Sequence, residues 1–159
     1  MKSELLRDHK KEKGQAMVEF ALTITLFLFL VLGIIEFGRM LFYINAITSA
    51  AREGARYGSA AGGIGGTIDN YADCDGIENA TISIGQYAGV RDWGVVISYE
   101  DQYGNSKGDC PPNPSINLRD RVVVTVTGKF VPFAGLVNLP EFDYSSTARR
   151  TIATDVEVK

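Results

Sequence analysis

A run of twenty residues from Ala16 to Ile35 constrains this chain most, since it reads AMVEFALTITLFLFLVLGII and carries a single charged side chain, Glu19. As an α-helix rising about 1.5 Å per residue, it would measure roughly 30 Å, the hydrocarbon thickness of a bilayer. A core helix of a soluble protein seldom reaches this length without a polar face. The run therefore predicts one membrane span over residues 16–35.

The charges around this run are distributed unevenly. Residues 1–14 hold five basic and three acidic side chains, a net +2, so the chain's total of −3 leaves −5 for the remainder. Basic residues before a span favour a cytoplasmic N-terminus, and the acidic remainder is therefore expected outside the cytoplasm. An acidic body also argues against nucleic-acid binding, which requires a basic face.

The junction between the basic leader and the apolar run reads GQAMVEF, from Gly14 to Phe20. It resembles a type IV prepilin processing site, G-x-x-x-x-E followed by an aromatic residue. The resemblance implies that a membrane-embedded prepilin peptidase cuts between Gly14 and Gln15, and that Glu19 and Phe20 belong to the processing and assembly motif. Residues 1–14 would then be a cytoplasmic leader.

The position of Glu19 within the predicted span has an energetic cost. A carboxylate within a span costs up to about 3 kcal/mol at the bilayer centre and less near an end, so it requires a partner. The α-amino group that cleavage would create at Gln15 of a neighbouring subunit is such a partner, because opposite charges attract strongly in a low dielectric. The alternative is a carboxylate solvated at the membrane surface without a role.

Three sequence patterns point to one family. They are G-Q-A-x-V-E-F from Gly14, G-x-x-E-x-G-R over Gly33–Arg39, and A-A-R-E-G-A-R over Ala50–Arg56. Together they resemble the TadE-like pseudopilins of the tight-adherence (Flp) pilus system. The resemblance implies a minor, non-enzymatic pilus component of the bacterial inner membrane. Its implied partners are the prepilin peptidase, other pilins and pseudopilins, the pilus assembly platform and membrane lipid.

Two other functions stay open at this point. The body of the chain is larger than that of typical Flp pilins, which favours the minor role over that of a main filament subunit, although nothing in the residues decides between them. A membrane-anchored envelope binding module with an uncleaved span is the second alternative.

Helical spacing of apolar residues continues beyond the span and predicts one helix over residues 15–57. Four charged residues on it are candidates for a helix interface: Glu36, Arg39, Arg52 and Arg56. For the two later arginines a solvated charged face is the commoner outcome. Small residues line the last three turns, and packing on the chain's own domain is favoured over a surface between subunits.

Glycine is concentrated in residues 58–66, which predicts a linker over residues 58–76 and an outer domain over residues 77–159. A short helix is expected over residues 77–88, and residues 101–117 are expected to lack regular structure. Strands are predicted over residues 93–100, 119–131 and 142–153. The apolar connection 131–140 would cover a sheet edge or contact a neighbour or the membrane. We therefore expect an α+β, pilin-like fold in which the long helix is followed by a small antiparallel sheet domain of three strands.

The two cysteines, Cys74 and Cys110, fit no metal or redox motif. Because disulfides persist outside the cytoplasm, we predict one bond between them, with two free thiols as the alternative. The only histidine, His9, lies in the predicted leader, so no catalytic residue, metal site, cofactor or small-molecule substrate is predicted. An irregular calcium site in the acidic loop Asp69–Gly76 remains an alternative.

Overall fold

The structure is a computed structural model that describes residues 2–63, 68–85, 91–112, 116–117, 119–132 and 141–153, without the side chains of residues 2–13 and of Arg91. Its elements in chain order are α1 (Lys2–Ser59), α2 (Cys74–Gly85), β1 (Arg91–Glu100), β2 (Ser106–Asp109), β3 (Arg121–Phe130) and β4 (Phe142–Thr151). The predicted α+β class is confirmed. Two compact units divide the chain, Met1–Arg39 and Met40–Lys159.

The N-terminal unit consists of the first part of α1. This helix begins at Lys2, whereas the sequence predicted a start at residue 15. The leader is rich in lysine, glutamate and leucine, which have helix propensities close to that of alanine, so it continues the helix of the apolar run. Most large apolar side chains of the run are exposed: Met17, Val18, Phe20, Leu22, Ile24, Leu26, Phe27, Leu28, Phe29, Leu30, Leu32, Ile34 and Ile35.

The second unit is built on a four-stranded antiparallel sheet in the order β2-β1-β3-β4. Strand β3 lies inside the sheet and is its most apolar strand. Val122, Val124 and Val126 are fully buried on one of its faces, as the alternation of valine predicted. The register runs without interruption from Arg121↔Thr151 to Phe130↔Phe142 between β3 and β4.

The buried face of the sheet packs against the last part of α1. The core on this side consists mainly of Tyr43, Ile47, Ala50, Ala51, Ala55, Ile77, Tyr99, Phe130 and Ile152, together with the valines of β3. Small side chains on α1 let the helix backbone approach the sheet closely. The preference for packing on the chain's own domain is therefore confirmed for this stretch.

The sequence prediction was wrong about residues 101–117, because β2 forms within them and makes the sheet four-stranded. Ser-Lys-Gly-Asp has low strand propensity, so tertiary contacts must hold it in place. Strand β2 is held by its pairing with β1 and by a second contact. Lys107 Nζ forms an ion pair of 2.5 Å with the buried carboxylate of Asp120. Cys110, the first residue after β2, forms a disulfide with Cys74 at the start of α2.

The boundaries around α2 also differ from the prediction. The helix begins at Cys74 and ends at Gly85, so the linker predicted to continue to residue 76 ends at Asp73. Gly62 has a left-handed φ of 88° and its carbonyl accepts a hydrogen bond from Asn70 N, which closes the turn after α1. Residues 64–67 of the linker, 86–88 of the predicted helix and 133–140 of the apolar connection lie outside the described residues.

Candidate processing and assembly site

The predicted processing motif lies in an exposed part of α1. Gln15 Nε2 donates a hydrogen bond of 3.2 Å to Glu19 Oε1, one helical turn later. Phe20 is 69% exposed. A Cβ built on Gly14 would meet no heavy atom within 4 Å, so packing does not require glycine there. The helix nevertheless loses about 1 kcal/mol of propensity at this position relative to alanine.

Other polar groups near the start of the apolar run are satisfied within the helix. The Thr23 hydroxyl donates to the Glu19 carbonyl over 2.8 Å, and the Thr25 hydroxyl donates to the Ala21 carbonyl over 2.7 Å. Such bonds to the preceding turn allow threonine to enter an apolar environment without an unpaired donor. Among the described residues, Gly14–Ser59 is the one helix long and apolar enough to cross a membrane.

The charged pair at the end of the predicted span is also local. Arg39 Nη1 lies 2.9 Å from Glu36 Oε2, and Arg39 follows Glu36 by three positions on the helix. The pair is therefore neutral as a unit, which reduces the cost of placing either group close to lipid or to another helix. Phe37, which lies between the two residues in sequence, is 57% exposed.

Close packing explains two glycines: Gly54, within the A-A-R-E-G-A-R segment, and Gly58, two residues after it. A Cβ at Gly54 would overlap Thr81 Oγ1 and lie 3.2 Å from Val124 Cγ1. A Cβ at Gly58 would lie 2.9 Å from Ile77 Cδ1. These glycines allow α1 to touch α2 and β3 at the same time.

The charged residues of the same segment face outward. Arg56 pairs with Glu53 through two hydrogen bonds, one of them 2.8 Å long from Nε. This contact lowers the pKa of the Glu53 carboxyl below its ordinary value. Arg52 is exposed. The structure thus separates the four predicted interface residues into a Glu36–Arg39 pair, a Glu53–Arg56 pair and the exposed Arg52.

Asp73 connects α1 to the start of α2. Its Oδ2 accepts a hydrogen bond of 2.7 Å from the Tyr57 hydroxyl, and its Oδ1 accepts one of 2.9 Å from Gly76 N. The second bond is an N-cap, which satisfies a free amide in the first turn of α2. The bond from Tyr57, followed by the bond from Gly76, lowers the pKa of the Asp73 carboxyl.

A disulfide between Cys74 and Cys110 follows this cap directly. The Tyr99 hydroxyl, from β1, contacts Cys110 Sγ over 3.0 Å and donates a hydrogen bond to the Tyr71 carbonyl. Burial raises the pKa of Tyr99. The disulfide, Tyr99 and the capped start of α2 form one structural cluster. The described residues contain no group of side chains that could hold a metal ion.

The sequence prediction missed the two tyrosine contacts of this cluster. An aspartate directly before a segment with helical spacing of apolar residues is an N-cap signal, which would have placed the start of α2 at Cys74. No local pattern indicates that Tyr57 or Tyr99 reaches this region, since their partners lie 16 and 28 residues away.

These observations define a class of protein: one N-terminal apolar helix, compatible with membrane anchoring, followed by a small disulfide-bonded α+β domain. Residues 14–56 of the chain match the model of the family described as TadE-like protein. The match confirms the resemblance seen in the three sequence patterns, and it suggests involvement in the tight-adherence pilus system. It covers about a quarter of the 159 residues. No curated protein and no solved structure matches the chain.

Proposed function

We propose that this chain is a minor pseudopilin of a tight-adherence pilus, processed between Gly14 and Gln15 by a prepilin peptidase and then incorporated during pilus assembly. The span over residues 16–35 anchors it in the bacterial inner membrane. Its N-terminus lies in the cytoplasm and its α+β domain lies outside. The proposed partners are the peptidase, other pilins and pseudopilins, the assembly platform and membrane lipid.

The coincidence of three features at one residue carries the proposal. The TadE-like match begins at Gly14, the basic leader ends there, and glycine at this position has no packing neighbour to explain it. A protease acts on an extended backbone, so a residue that weakens the helix at the cut favours local unwinding. The same residue costs the folded chain stability without improving any described contact.

Glu19 is proposed to guide assembly through charge. In the uncleaved chain its carboxylate accepts a hydrogen bond from the Gln15 amide. Cleavage would convert Gln15 into the first residue and create a positive α-amino group. That group in a neighbouring subunit would then compensate the carboxylate in a low-dielectric setting, where an unpaired charge is costly. Phe20 and the exposed apolar side chains beside it would pack between subunits.

Processing is tested by mapping the amino terminus of the full chain produced with its cognate peptidase. The mature protein is expected to begin at Gln15, and Gly14→Leu is expected to accumulate in the uncleaved form. Gly33→Leu is the matched control, because Gly33 also lies on α1 with no heavy atom within 4 Å of a Cβ. A native chain that retains residues 1–14 beside active peptidase contradicts the proposal.

Assembly is tested with Glu19→Gln, which removes the charge and keeps the size of the side chain. The variant is expected to be cleaved normally but to be largely missing from the pilus fraction. Glu78→Gln is the control, since Glu78 is an exposed carboxylate on α2. Normal incorporation of the Glu19 variant would rule out charge pairing.

Two alternatives give different results in these preparations. A main filament subunit would dominate fibres released by shear and analysed by mass spectrometry, whereas a minor pseudopilin would be a small fraction of them. An envelope binding module with an uncleaved anchor would stay in the membrane fraction at full length.

A further inference from the structure

One end of the sheet carries a group of apolar aromatic rings. The rings of Tyr43 and Phe130 lie 5.4 Å apart in an edge-to-face contact, and Phe142 lies 5.2 Å from Phe130. Strand β1 begins at the same end, because Arg91 pairs with Lys129. The second unit starts only three residues before Tyr43. We call this the entry end of the domain, since α1 enters the domain there.

The opposite end of the sheet, here called the distal end, carries tyrosines with polar contacts instead. The Tyr57 hydroxyl donates to Asp73, and the Tyr99 hydroxyl donates to the Tyr71 carbonyl. Tyr103, in the turn that follows β1, is 80% exposed. By contrast, all described phenylalanine and tryptophan residues of the second unit lie towards the entry end: Phe42, Trp93, Phe130 and Phe142.

The exposed apolar surface of α1 continues as far as the entry end. Tyr43 is only 3% exposed, whereas the two residues before it, Leu41 and Phe42, are 44% and 59% exposed. The described residues of the domain therefore leave this side of the helix uncovered. Leu41 and Phe42 extend the apolar surface beyond Ile35, the last residue of the predicted span, to the point where the sheet begins.

The length of the chain keeps the entry end close to a bilayer that holds the predicted span. Tyr43 follows Ile35 by eight residues, which measure about 12 Å as a helix. The headgroup layer of one leaflet is roughly 5–8 Å thick. Helical side chains lean toward the N-terminus, so those of Leu41 and Phe42 reach back toward the lipid. This geometry places the two side chains at the headgroup layer.

The charges at the entry end do not favour attachment by charge. Lys129 Nζ lies 3.5 Å from Glu141 Oε2, and Asp92 and Asp143 are exposed. One ammonium group thus stands against three carboxylates among these residues. Anionic lipids attract clusters of lysine and arginine, which these residues do not form. A membrane contact here must therefore rest on apolar side chains, as when phenylalanine and leucine enter the boundary between headgroups and acyl chains.

We propose that the entry end of the domain rests on the outer surface of the membrane, with Leu41 and Phe42 in the lipid headgroup layer. The proposal rests on the span over residues 16–35 in the proposed function, and it does not require cleavage at Gly14. The distal end then faces away from the membrane, about 30 Å further out along the ten residues of β1.

Quenching of tryptophan fluorescence by brominated lipid measures this contact in the full chain, reconstituted in bilayer vesicles. Phe42→Trp reports on the entry end, Tyr103→Trp is the matched control at the distal end, and Phe29→Trp reports on the span. All three positions are exposed, and the native Trp93 is common to all variants. Lipids brominated near the headgroup are expected to quench the tryptophan added by Phe42→Trp about threefold more than that added by Tyr103→Trp. Lipids brominated at the acyl-chain ends should quench Phe29→Trp most.

The three variants separate this proposal from the one on which it rests. Equal quenching of Phe42→Trp and Tyr103→Trp, with Phe29→Trp quenched, would mean that the entry end lies away from the membrane, and only this proposal would fail. Without quenching of Phe29→Trp, the proposed span would fail as well. Shielding of Phe42→Trp from both brominated lipid and aqueous acrylamide would indicate a protein neighbour in place of lipid, which also overturns the proposal.

Lipid composition tests whether the contact is apolar. Replacement of neutral by anionic lipid, or an increase in salt concentration, should change the quenching of Phe42→Trp by less than about twofold, because no basic cluster is involved. A contact that forms only with anionic lipid, or that salt abolishes, would contradict the apolar basis of the proposal.

Discussion

Two stretches of the same helix use glycine in opposite ways. In Gly14–Arg39, a Cβ on Gly14, Gly33 or Gly38 would meet no heavy atom within 4 Å. In the stretch from Met40 to Ser59, a Cβ on Gly54 or Gly58 would collide with α2. The contrast shows which glycines the fold of this domain requires. No contact of the described residues requires the other three glycines.

Polar groups divide less strictly, because Glu53 and Arg56 of the second stretch also pair within one turn of the helix. In the first stretch, Glu36 with Arg39 and Thr23 with the Glu19 carbonyl find partners within one turn of the helix. In the second, Tyr57 reaches Asp73, 16 residues away. Among the described residues, only the second stretch of α1 has a polar side chain bonded to a partner distant in sequence.

Removal of the disulfide is expected to have the largest effect on the domain and none on the first stretch of α1. Replacement of both Cys74 and Cys110 by serine should lower the free energy of unfolding of the domain by about 4 kcal/mol, because the bond closes a loop with a sequence separation of 36 residues. Urea unfolding followed by fluorescence of the single tryptophan, Trp93, measures the loss. Membrane insertion and cleavage should be unchanged, and their loss would show that the first stretch depends on the domain.

A matched pair of glycine substitutions sharpens the comparison. Gly54→Ala should destabilise the domain by about 1–3 kcal/mol, because overlap with Thr81 outweighs the gain in helix propensity. Gly33→Ala should cause no loss in the same urea titration. If the two variants unfold at the same urea concentration, the assignment of Gly54 to internal packing is wrong.

Acid should affect the second stretch through Asp73. The pKa of this carboxyl is lowered in the folded chain by its bonds from Tyr57 and Gly76. The unfolded chain therefore binds the proton more tightly, and the stabilisation is present above the ordinary value of about 3.9 and lost as the pH falls through the lower, folded value. Asp73→Asn should flatten the pH dependence of stability below about pH 4. Asp75→Asn, at an exposed neighbouring position, should leave that dependence as it is.

The smallest effect is expected from a pair of tyrosine substitutions. The Tyr43 hydroxyl is buried with no hydrogen-bond partner among the described residues, and burial together with Asp143 raises the pKa of Tyr43 to about 12. Tyr43→Phe should therefore change the unfolding free energy by less than about 0.5 kcal/mol, or increase it slightly. Tyr57→Phe should lower it by about 1 kcal/mol, since Asp73 loses a donor. Equal losses would mean that Tyr43 has a polar partner.

The parts of the fold that the sequence predicted are those with a strong repeating pattern. Alternating valines located β3, and helical spacing carried α1 to within two residues of its end at Ser59. The start of α1 was missed because the prediction followed hydrophobicity, although a charged leader forms a helix equally well. Strand β2 was missed because tertiary contacts hold it, among them the Lys107–Asp120 pair.

The candidate site could likewise be predicted only in part. The bond between Cys74 and Cys110 could be predicted from compartment and number alone, since only one pairing exists for two cysteines. The surroundings of that bond could not, because Tyr99 and Tyr71 approach it from positions distant in sequence. The roles of Gly14, Gln15, Glu19 and Phe20 stay predictions that the cleavage and incorporation experiments test.

The position of the disulfide also determines how the chain would respond to a mechanical load. If a force pulled on α1 and β4 in opposite directions, the covalent path would pass from Cys74 to Cys110 across the sulfur atoms. Helix α2 and the β1–β2 hairpin would carry none of the tension along their backbones. Even after complete unravelling, the chain would extend about 120 Å less than a reduced chain, because 36 peptide links stay outside the path.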